Sequence, residues 1–249
     1  MLPETLSGSL VVFCRLRHNQ HDNRSCIWRN RPMAKESRPN TYNRIVDASL
    51  ILFNEEGERN ISTNHIAAHL SISPGNLYYH FRNKDEIIMQ LFKRYSQELL
   101  GYLREAKLPE DSSTIKNYMV GVYDVMWKYR FLFSDVNTLL ARSAELLGEH
   151  NEFTRVKVSP LLLKLLAQLN DVGLIDADEL ARHELALNIW LITKYWFDFD
   201  SSLHEHTLTE ASKFRGIKQT MSLLRPYVRA ENRPDFDAMM IDLVADLPE

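Results

Sequence analysis

Residues 61–86 constrain the fold more than any other part of this chain, because they contain three helix-start signals in close order. One helix can begin at Ser62 or Thr63, since a hydroxyl side chain can cap the first free backbone N–H groups. A second can begin after Ser73, which is followed by a proline at the first helical position. A third can begin after Asn83, with a glutamate three residues later as in a capping box. Two short helices joined by a tight turn and followed at once by a third predict a helix-turn-helix.

The chemistry of this segment favours contact with DNA. No Asp or Glu occurs from Arg59 through Lys84, although 33 of the 249 residues are acidic. A carboxylate on a surface that approaches DNA would repel the phosphates. In the second helix, Leu77 and Phe81 are four residues apart and predict the inward face. The remaining side chains of that helix are slim or hydrogen-bonding, which leaves its other faces suited to a groove.

The string SPGNLYYHFRNKDEI at residues 73–87 resembles the signature of TetR-type bacterial transcription regulators, and the pattern extends over about residues 41–106. The resemblance implies a set of DNA contacts on the two short helices and at the start of the third: Thr63, Ser73, Pro74, Gly75, Asn76, Tyr78, Tyr79, His80 and Lys84. In this set Thr63 would contact phosphate, residues 74–76 would approach base edges or adjacent phosphates, and residues 78–80 would donate to phosphates. Lys84 would add a charge contact. Pro74 departs from the lysine or other polar residue of many relatives, which predicts contact with a thymine methyl group there.

Charge is distributed unevenly along the chain. The formal net charge is −3, with 30 basic and 33 acidic residues. Basic residues exceed acidic ones in residues 1–40, whereas acidic residues exceed basic ones in residues 111–249. DNA binding would therefore depend on a local surface, with an acidic body held away from the duplex.

Residues 1–39 differ from the rest of the chain because they show no sustained apolar periodicity. Both cysteines, Cys14 and Cys26, lie in this leader. This placement predicts no disulfide framework and fits a reducing cytoplasm. No signal peptide and no membrane span are expected, since the apolar runs are too short. Met33 is a candidate alternative start; the competing interpretation is a basic arm that reaches DNA.

The remainder is predicted to be all-α, with a DNA-binding domain at residues 40–107 and a helical effector-binding and dimerisation domain at residues 108–249. Helices are expected at about residues 41–56, 62–70, 74–81, 84–107, 114–129, 133–147, 151–172, 176–199, 207–229 and 236–247. Pro160 is expected either to kink the helix that contains it or to mark a fresh start. Asp176 and Thr207 are expected to cap the helices that follow them.

The segment ELALNIWLITKYWFDF at residues 184–199 is apolar around most of its circumference. Such a helix must be buried on nearly all sides, which favours burial between the body core and a second subunit. The resemblance implies that residues 178–200 and 207–229 form a four-helix interface in a homodimer. A two-fold dimer would present two reading helices to the half-sites of a palindromic operator.

Aromatic residues with a few embedded polar groups predict an effector cavity in the body, with ordinary core packing as the alternative for each aromatic. The candidates are Tyr118, Trp127, Phe131, Phe133, Asn137, Arg142, Trp190 and Lys194. Arg142 could pair with a ligand anion or with an internal carboxylate. The strings YRFLFSDVNTLLAR and SLLRPYV resemble a TetR subgroup that regulates polyhydroxyalkanoate and fatty-acid metabolism. This resemblance implies a fatty acid or acyl-CoA as effector, while hydrophobic drugs and aromatic metabolites stay open.

The sequence thus predicts a homodimeric repressor that a small hydrophobic effector releases from its operator. A transcriptional activator on the same scaffold and a helical enzyme that retains a helix-turn-helix are the alternatives. The enzyme is disfavoured because no catalytic Ser/His/Asp, Cys/His or paired-carboxylate spacing and no phosphate-binding glycine loop occurs. His65 and His69 are four residues apart, but no further ligand completes a metal site beside them. No cofactor is expected.

Overall fold

The computed structural model describes residues 40–205, 207–243 and 245. All its regular elements are helical, apart from one isolated antiparallel bridge between Ile175 and Val228. The predicted all-α class is confirmed. The expectations for residues 1–39, including Met33, lie outside the described residues. None of the described helices combines the length and the apolar character that a membrane span requires.

Eleven α-helices occur in the described part of the chain. They are α1 Thr41–Leu52, α2 Thr63–His69, α3 Pro74–His80, α4 Lys84–Glu105, α5 Ser112–Lys128, α6 Val136–Arg142, α7 Ala144–Glu152, α8 Ser159–Asp171, α9 Glu179–Leu203, α10 Glu210–Ser222 and α11 Arg233–Asp242. Two π-helical segments, Phe53–Gly57 and Phe153–Val158, extend α1 and join α7 to α8. Short 3₁₀ turns are found at Glu58–Asn60, Arg130–Leu132, Arg225–Tyr227 and Ala230–Asn232.

The helix starts in the N-terminal head, which consists of α1 to α4, agree with the capping signals. The Ser62 hydroxyl accepts from the His65 backbone, and the Ser73 side chain caps α3 in the same way. The Asn83 side chain accepts from the Glu86 backbone at 2.9 Å. The Glu86 carboxylate, however, accepts from the Arg82 N–H rather than from that of Asn83, so only half of the expected capping box forms.

Several boundaries in the body differ from the sequence prediction. The helix expected at residues 133–147 is two helices, because the Ser143 side chain caps a new helix at the Leu146 N–H. α9 is capped by Asp178 and α10 by Thr209, each two residues later than expected. Pro160 is the second residue of α8, and the chain stays helical from the preceding π segment into this helix.

The body is built around the packing of α5, α9 and α10. α10 packs against both α9 and α5, and α4 packs against α5. The Trp196 indole donates to the Ser212 carbonyl at 2.7 Å, and Arg215 makes two hydrogen bonds to the buried Asp200 carboxylate. Burial alone would raise the pKa of Asp200, but the Arg215 guanidinium outweighs it and holds that pKa below its ordinary value.

Gly216 allows α10 to approach α9 and α5 closely. A Cβ atom at this position would lie 2.4 Å from Trp196 Cδ1 and 2.5 Å from Tyr123 Cε1. We therefore expect Gly216→Ala to lower the free energy of unfolding by about 2 kcal/mol, the usual cost of overpacking a core. Urea denaturation measures the loss. Gly101→Ala in α4 is the matched control, because no atom would lie within 4 Å of its Cβ, and an equal loss there would contradict the packing argument.

Candidate nucleic-acid interface and body cavity

The turn between α2 and α3 is closed by backbone hydrogen bonds around a left-handed residue. Ser71 has φ of 55°, and its N–H donates to the Ala68 carbonyl. The Ile72 N–H donates to the Ala67 carbonyl at 3.0 Å. These two bonds form a Schellman motif that ends α2 sharply. The chain therefore changes direction at Ser71, and α3 begins three residues later, at Pro74.

The inner face of α3 fixes this helix against the head core. Leu77 and Phe81 are buried, as the four-residue spacing predicts, and Phe81 stacks on Tyr42 of α1 with ring centroids 4.7 Å apart. α3 has only seven residues and is too short to be stable alone. Its position is therefore set by tertiary contacts with α1 and α2.

The outer face of α3 presents the residues that the sequence predicts at DNA. Residues 73–76 are exposed, and a Cβ at Gly75 would meet nothing closer than 3.9 Å. The Tyr79 side chain is 86% exposed. Tyr78 is half exposed, and its hydroxyl lies 3.0 Å from the Thr63 hydroxyl of α2. These hydroxyls, the α3 start and His80 belong to α2 and α3, and neither helix carries a carboxylate.

Arg82 is a cation of this surface that sequence reasoning missed. It directly follows the α3 cap, and its side chain is 89% exposed. Its nearest carboxylate is Glu86, at 3.7 Å from Nε, which is a loose surface pair. An arginine inside the carboxylate-free segment, directly after α3, is the signal that could have identified it.

Lys84 is placed differently from the sequence expectation. Its Nζ donates to the Glu58 carbonyl at 2.9 Å and to the Ile61 carbonyl at 3.0 Å, and it pairs with the Glu58 carboxylate at 2.7 Å. These three acceptors match the three donors of an ammonium group. Lys84 thus joins the start of α4 to the segment before α2, and the structure corrects its expected phosphate contact to an internal one.

Glu58 links the head to the body. Its side chain is only 6% exposed, and its Oε1 also accepts from Arg142 at the end of α6 at 2.7 Å. Arg142 makes a second ion pair with Asp85 of α4 at 2.8 Å. Burial of Glu58 alone would raise its pKa, but the bonds from Lys84 and Arg142 outweigh this effect and lower it. The Arg59 guanidinium adds a further link to Asp135 at the start of α6.

An interior cavity lies between α4, α6, α7, the following π segment and α9. Its free volume is about 20 Å³, roughly the room for one water molecule. The lining is largely apolar and aromatic: Phe92, Tyr95, Leu132, Phe133, Val136, Leu139, Leu140, Leu146, His150, Phe153, Trp190 and Lys194. Burial and, less strongly, the nearby Lys194 ammonium together lower the pKa of His150 to about 4, so this imidazole is neutral at pH 7.

Of the expected ligand residues, the structure brings Phe133, Trp190 and Lys194 to this cavity. Tyr118 packs against Tyr102, and Trp127 stacks under the Arg130 guanidinium. The other three candidates also make contacts elsewhere. Phe131 contacts Phe53, Asn137 accepts from the Tyr195 hydroxyl, and Arg142 makes the ion pairs described above.

Tyr95 and His150 also line the cavity and were not predicted from the sequence. Phe92 and Tyr95 lie three apart in α4, a spacing that could have indicated a shared face. His150 was not predicted because the sequence indicated a helix that ends near Gly148, whereas α7 continues to Glu152.

The outer face of α9 carries a stripe of exposed leucines at helical spacing. Leu187 and Leu191 are 68% and 52% exposed, and Leu180 continues the stripe toward the start of the helix. By contrast, Ile217 in α10 is fully buried within its own subunit. The resemblance implied that residues 207–229 face a second subunit. At Ile217 this expectation is wrong, because α10 packs against α5 and α9 of the same chain there.

Comparison with known families gives two adjacent matches. A model described as "Bacterial regulatory proteins, tetR family" matches residues 45–91. A second, described as "Bacterial transcriptional repressor" and named TetR, matches residues 94–236. Together they span both the helix-turn-helix and the body.

Comparison with individual proteins gives similar relatives over most of the chain. A TetR-family transcriptional regulator from Marinobacter aquaeolei VT8 is 38% identical, with a TM-score of 0.72 over 82% of this chain and 98% of that chain. The IcaR negative transcriptional regulator of the biofilm operon icaADBC from Staphylococcus epidermidis is 24% identical over 75% of this chain and 98% of its own length. GusR of Salmonella enterica, 22% identical with a TM-score of 0.54, covers 76% of this chain and 98% of its own and shares the fold.

Proposed function

Since this chain belongs to the TetR family of transcriptional regulators, we propose that it is a homodimeric repressor that binds a palindromic operator and is released by a small, largely apolar effector. The protein would act in the cytoplasm, where such an operator lies. Its partners would be double-stranded DNA, a second copy of the chain and the effector. The proposal includes no catalytic step, cofactor or metal.

The helix-turn-helix is the single observation that carries this proposal. α3 is fixed by Leu77 and Phe81 on one side and is exposed over its first turn on the other. A short helix held in this way can enter the major groove with its N-terminal residues at base edges. We assign Pro74, Gly75 and Asn76 to that approach. The phosphate backbone would be contacted by Thr63, Ser73, Tyr78, Tyr79, His80 and Arg82.

Gly75 offers a sharp test of the DNA contact. Gly75→Ala adds one methyl group where the free protein has open space, so the fold should be retained. In the complex the same methyl group would separate α3 from the DNA, and we expect operator affinity to fall about tenfold, or 1.4 kcal/mol. Fluorescence anisotropy with labelled operator DNA measures the change. Gly148→Ala in the exposed part of α7 is the control, and equal affinities for both variants would contradict the placement of α3 in the groove.

The α9 leucines support the proposed dimer. A row of leucines exposed on one helix is unusual for a monomer surface and is typical of an interface. We propose that the outer faces of α9 from two subunits meet about a two-fold axis. This arrangement would fix the spacing of the two α3 helices to the half-site spacing of the operator.

We further propose that α6 transmits the state of the cavity to the head. Val136, Leu139 and Leu140 of α6 line the cavity. Arg142, at the end of the same helix, is ion-paired to Glu58 and Asp85 in the head. A ligand that displaces α6 would therefore move the segment before α2 and the start of α4. Effector binding would shift the population toward dimers whose α3 helices no longer match the operator. A fatty acid is one apolar candidate, whereas the polar nucleotide part of an acyl-CoA is poorly matched to this largely apolar lining.

A further inference from the structure

Three polar atoms at the body cavity have no hydrogen-bond partner among the described residues. They are the Tyr95 hydroxyl, Nδ1 of His150 and Nε1 of Trp190, and each is shielded from solvent. Buried polar atoms in proteins are nearly always hydrogen-bonded. Three such atoms at one cavity mark a place where a bound molecule, either a water or a ligand, supplies the missing partners.

The charge of the cavity limits what that molecule can be. Lys194 lines the cavity, and no residue of the lining is acidic. Within the described part of the chain, Lys194 makes no ion pair, and its Nζ lies 4.9 Å from the centre of the Tyr195 ring. The indole N–H can only donate, the phenol O–H can donate, and the ammonium carries a positive charge. The cavity is thus rich in donors and unfavourable for a cation.

The rest of the wall is apolar. Leucine, valine and phenylalanine side chains from α4, α6, α7 and the π segment form most of the surface. A ligand body that fits this wall must itself be apolar, because an unpaired polar group placed there would lose its hydration without compensation.

We propose that the cavity binds a compact carboxylic acid with an apolar aromatic or aliphatic body, its carboxylate accepting from Lys194 Nζ, Trp190 Nε1 and the Tyr95 hydroxyl. The inference rests on the proposed function and names the chemical class of the effector. A charge-assisted pair in a shielded site is stronger than a neutral hydrogen bond. The acid should therefore bind more tightly than a neutral compound of equal shape.

The small size of the cavity connects this binding to release. A free volume of about 20 Å³ has no room for such an acid unless part of the wall moves. α6 and α7 are short helices of seven and nine residues, and both contribute to the wall. Entry of the acid displaces α6, and with it Arg142 at the junction with the head.

A matched series of probes tests the ligand class on the full-length protein. Phenylacetate, phenylacetamide and phenethylamine share a body and differ in the polar group. Isothermal titration calorimetry at pH 7 should show phenylacetate binding at least tenfold more tightly than the amide, and no binding of the amine. Amide or amine affinity equal to that of the acid would overturn the proposal, and so would the absence of phenylacetate binding up to millimolar concentration.

Substitutions of cavity residues identify which side chains bind the carboxylate. Lys194→Met and Trp190→Phe should each weaken phenylacetate binding at least tenfold, whereas Lys164→Met, an exposed lysine of α8, should leave it unchanged. Tyr95→Phe should weaken binding without lowering the melting temperature of the free protein, because its hydroxyl has no partner to lose. A lower melting temperature of Tyr95→Phe, or an equal loss of binding in Lys164→Met, would contradict the assignment.

Operator binding without any probe, measured in parallel, separates the two proposals. Normal operator binding together with failed phenylacetate binding refutes the ligand class and leaves the DNA-binding function standing. A protein that binds phenylacetate with the expected selectivity but binds no DNA supports the cavity assignment and refutes the repressor.

Discussion

Replacing both Leu187 and Leu191 by glutamate should convert the dimer to a monomer. Operator binding should then weaken by about 10²- to 10⁴-fold, which is the usual advantage of two linked contacts over one. Both side chains are exposed in the single subunit, so the substitutions should not disturb its core. Across a two-fold axis they would bring four carboxylates into one apolar interface. Burying unpaired charges in this way is strongly unfavourable.

Light scattering and an operator titration on the same preparation measure both effects. Ile241→Glu is the control, because Ile241 is 67% exposed on α11, outside the α9 stripe. It should remain dimeric and keep its operator affinity. A Leu187/Leu191 variant that stays dimeric would show that subunits associate through another face.

Removing the carboxylate between head and body should strongly destabilise the protein. Glu58→Ala should lower the free energy of unfolding by about 3 kcal/mol, the low end for breaking a buried ion pair, because Lys84 and Arg142 are partly exposed and can recover some hydration. The variant should also bind operator less tightly, since Lys84 loses the group that holds α4 against the segment before α2. Chemical denaturation and an operator titration measure the two effects.

Glu56 provides the matched control for Glu58. It is exposed, it makes no ion pair among the described residues, and it lies in the same turn of chain. Glu56→Ala should therefore change stability little. Equal stabilities of the two variants would mean that the junction is not held by the Glu58 ion pairs.

Local sequence signals predicted the head well because its helix starts depend on residues close in the chain. Ser62, Ser73 and Asn83 each cap a helix through a backbone N–H three residues later. The inward spacing of Leu77 and Phe81 is equally local. The all-α class followed from the same kind of pattern.

The cavity and the junction could not be predicted in this way, because their residues meet only in the tertiary structure. Tyr95, His150 and Trp190 come from three helices separated by about 40 to 55 residues along the chain. The position of Lys84 at the start of α4 predicts a contact with a DNA phosphate. In the folded chain, however, its ammonium group contacts the carbonyl and the carboxylate of Glu58, 26 residues earlier. Ile217 has the spacing of an interface residue, but α5 and α9 of the same subunit cover it.

Selection of DNA from a random pool by the full-length protein tests the central claim most directly. We expect enrichment of one two-fold symmetric sequence, bound by two chains per site, and a weaker complex for Gly75→Ala than for Gly148→Ala. Failure to enrich any sequence, or enrichment of a site without two-fold symmetry bound by a single chain, would contradict it.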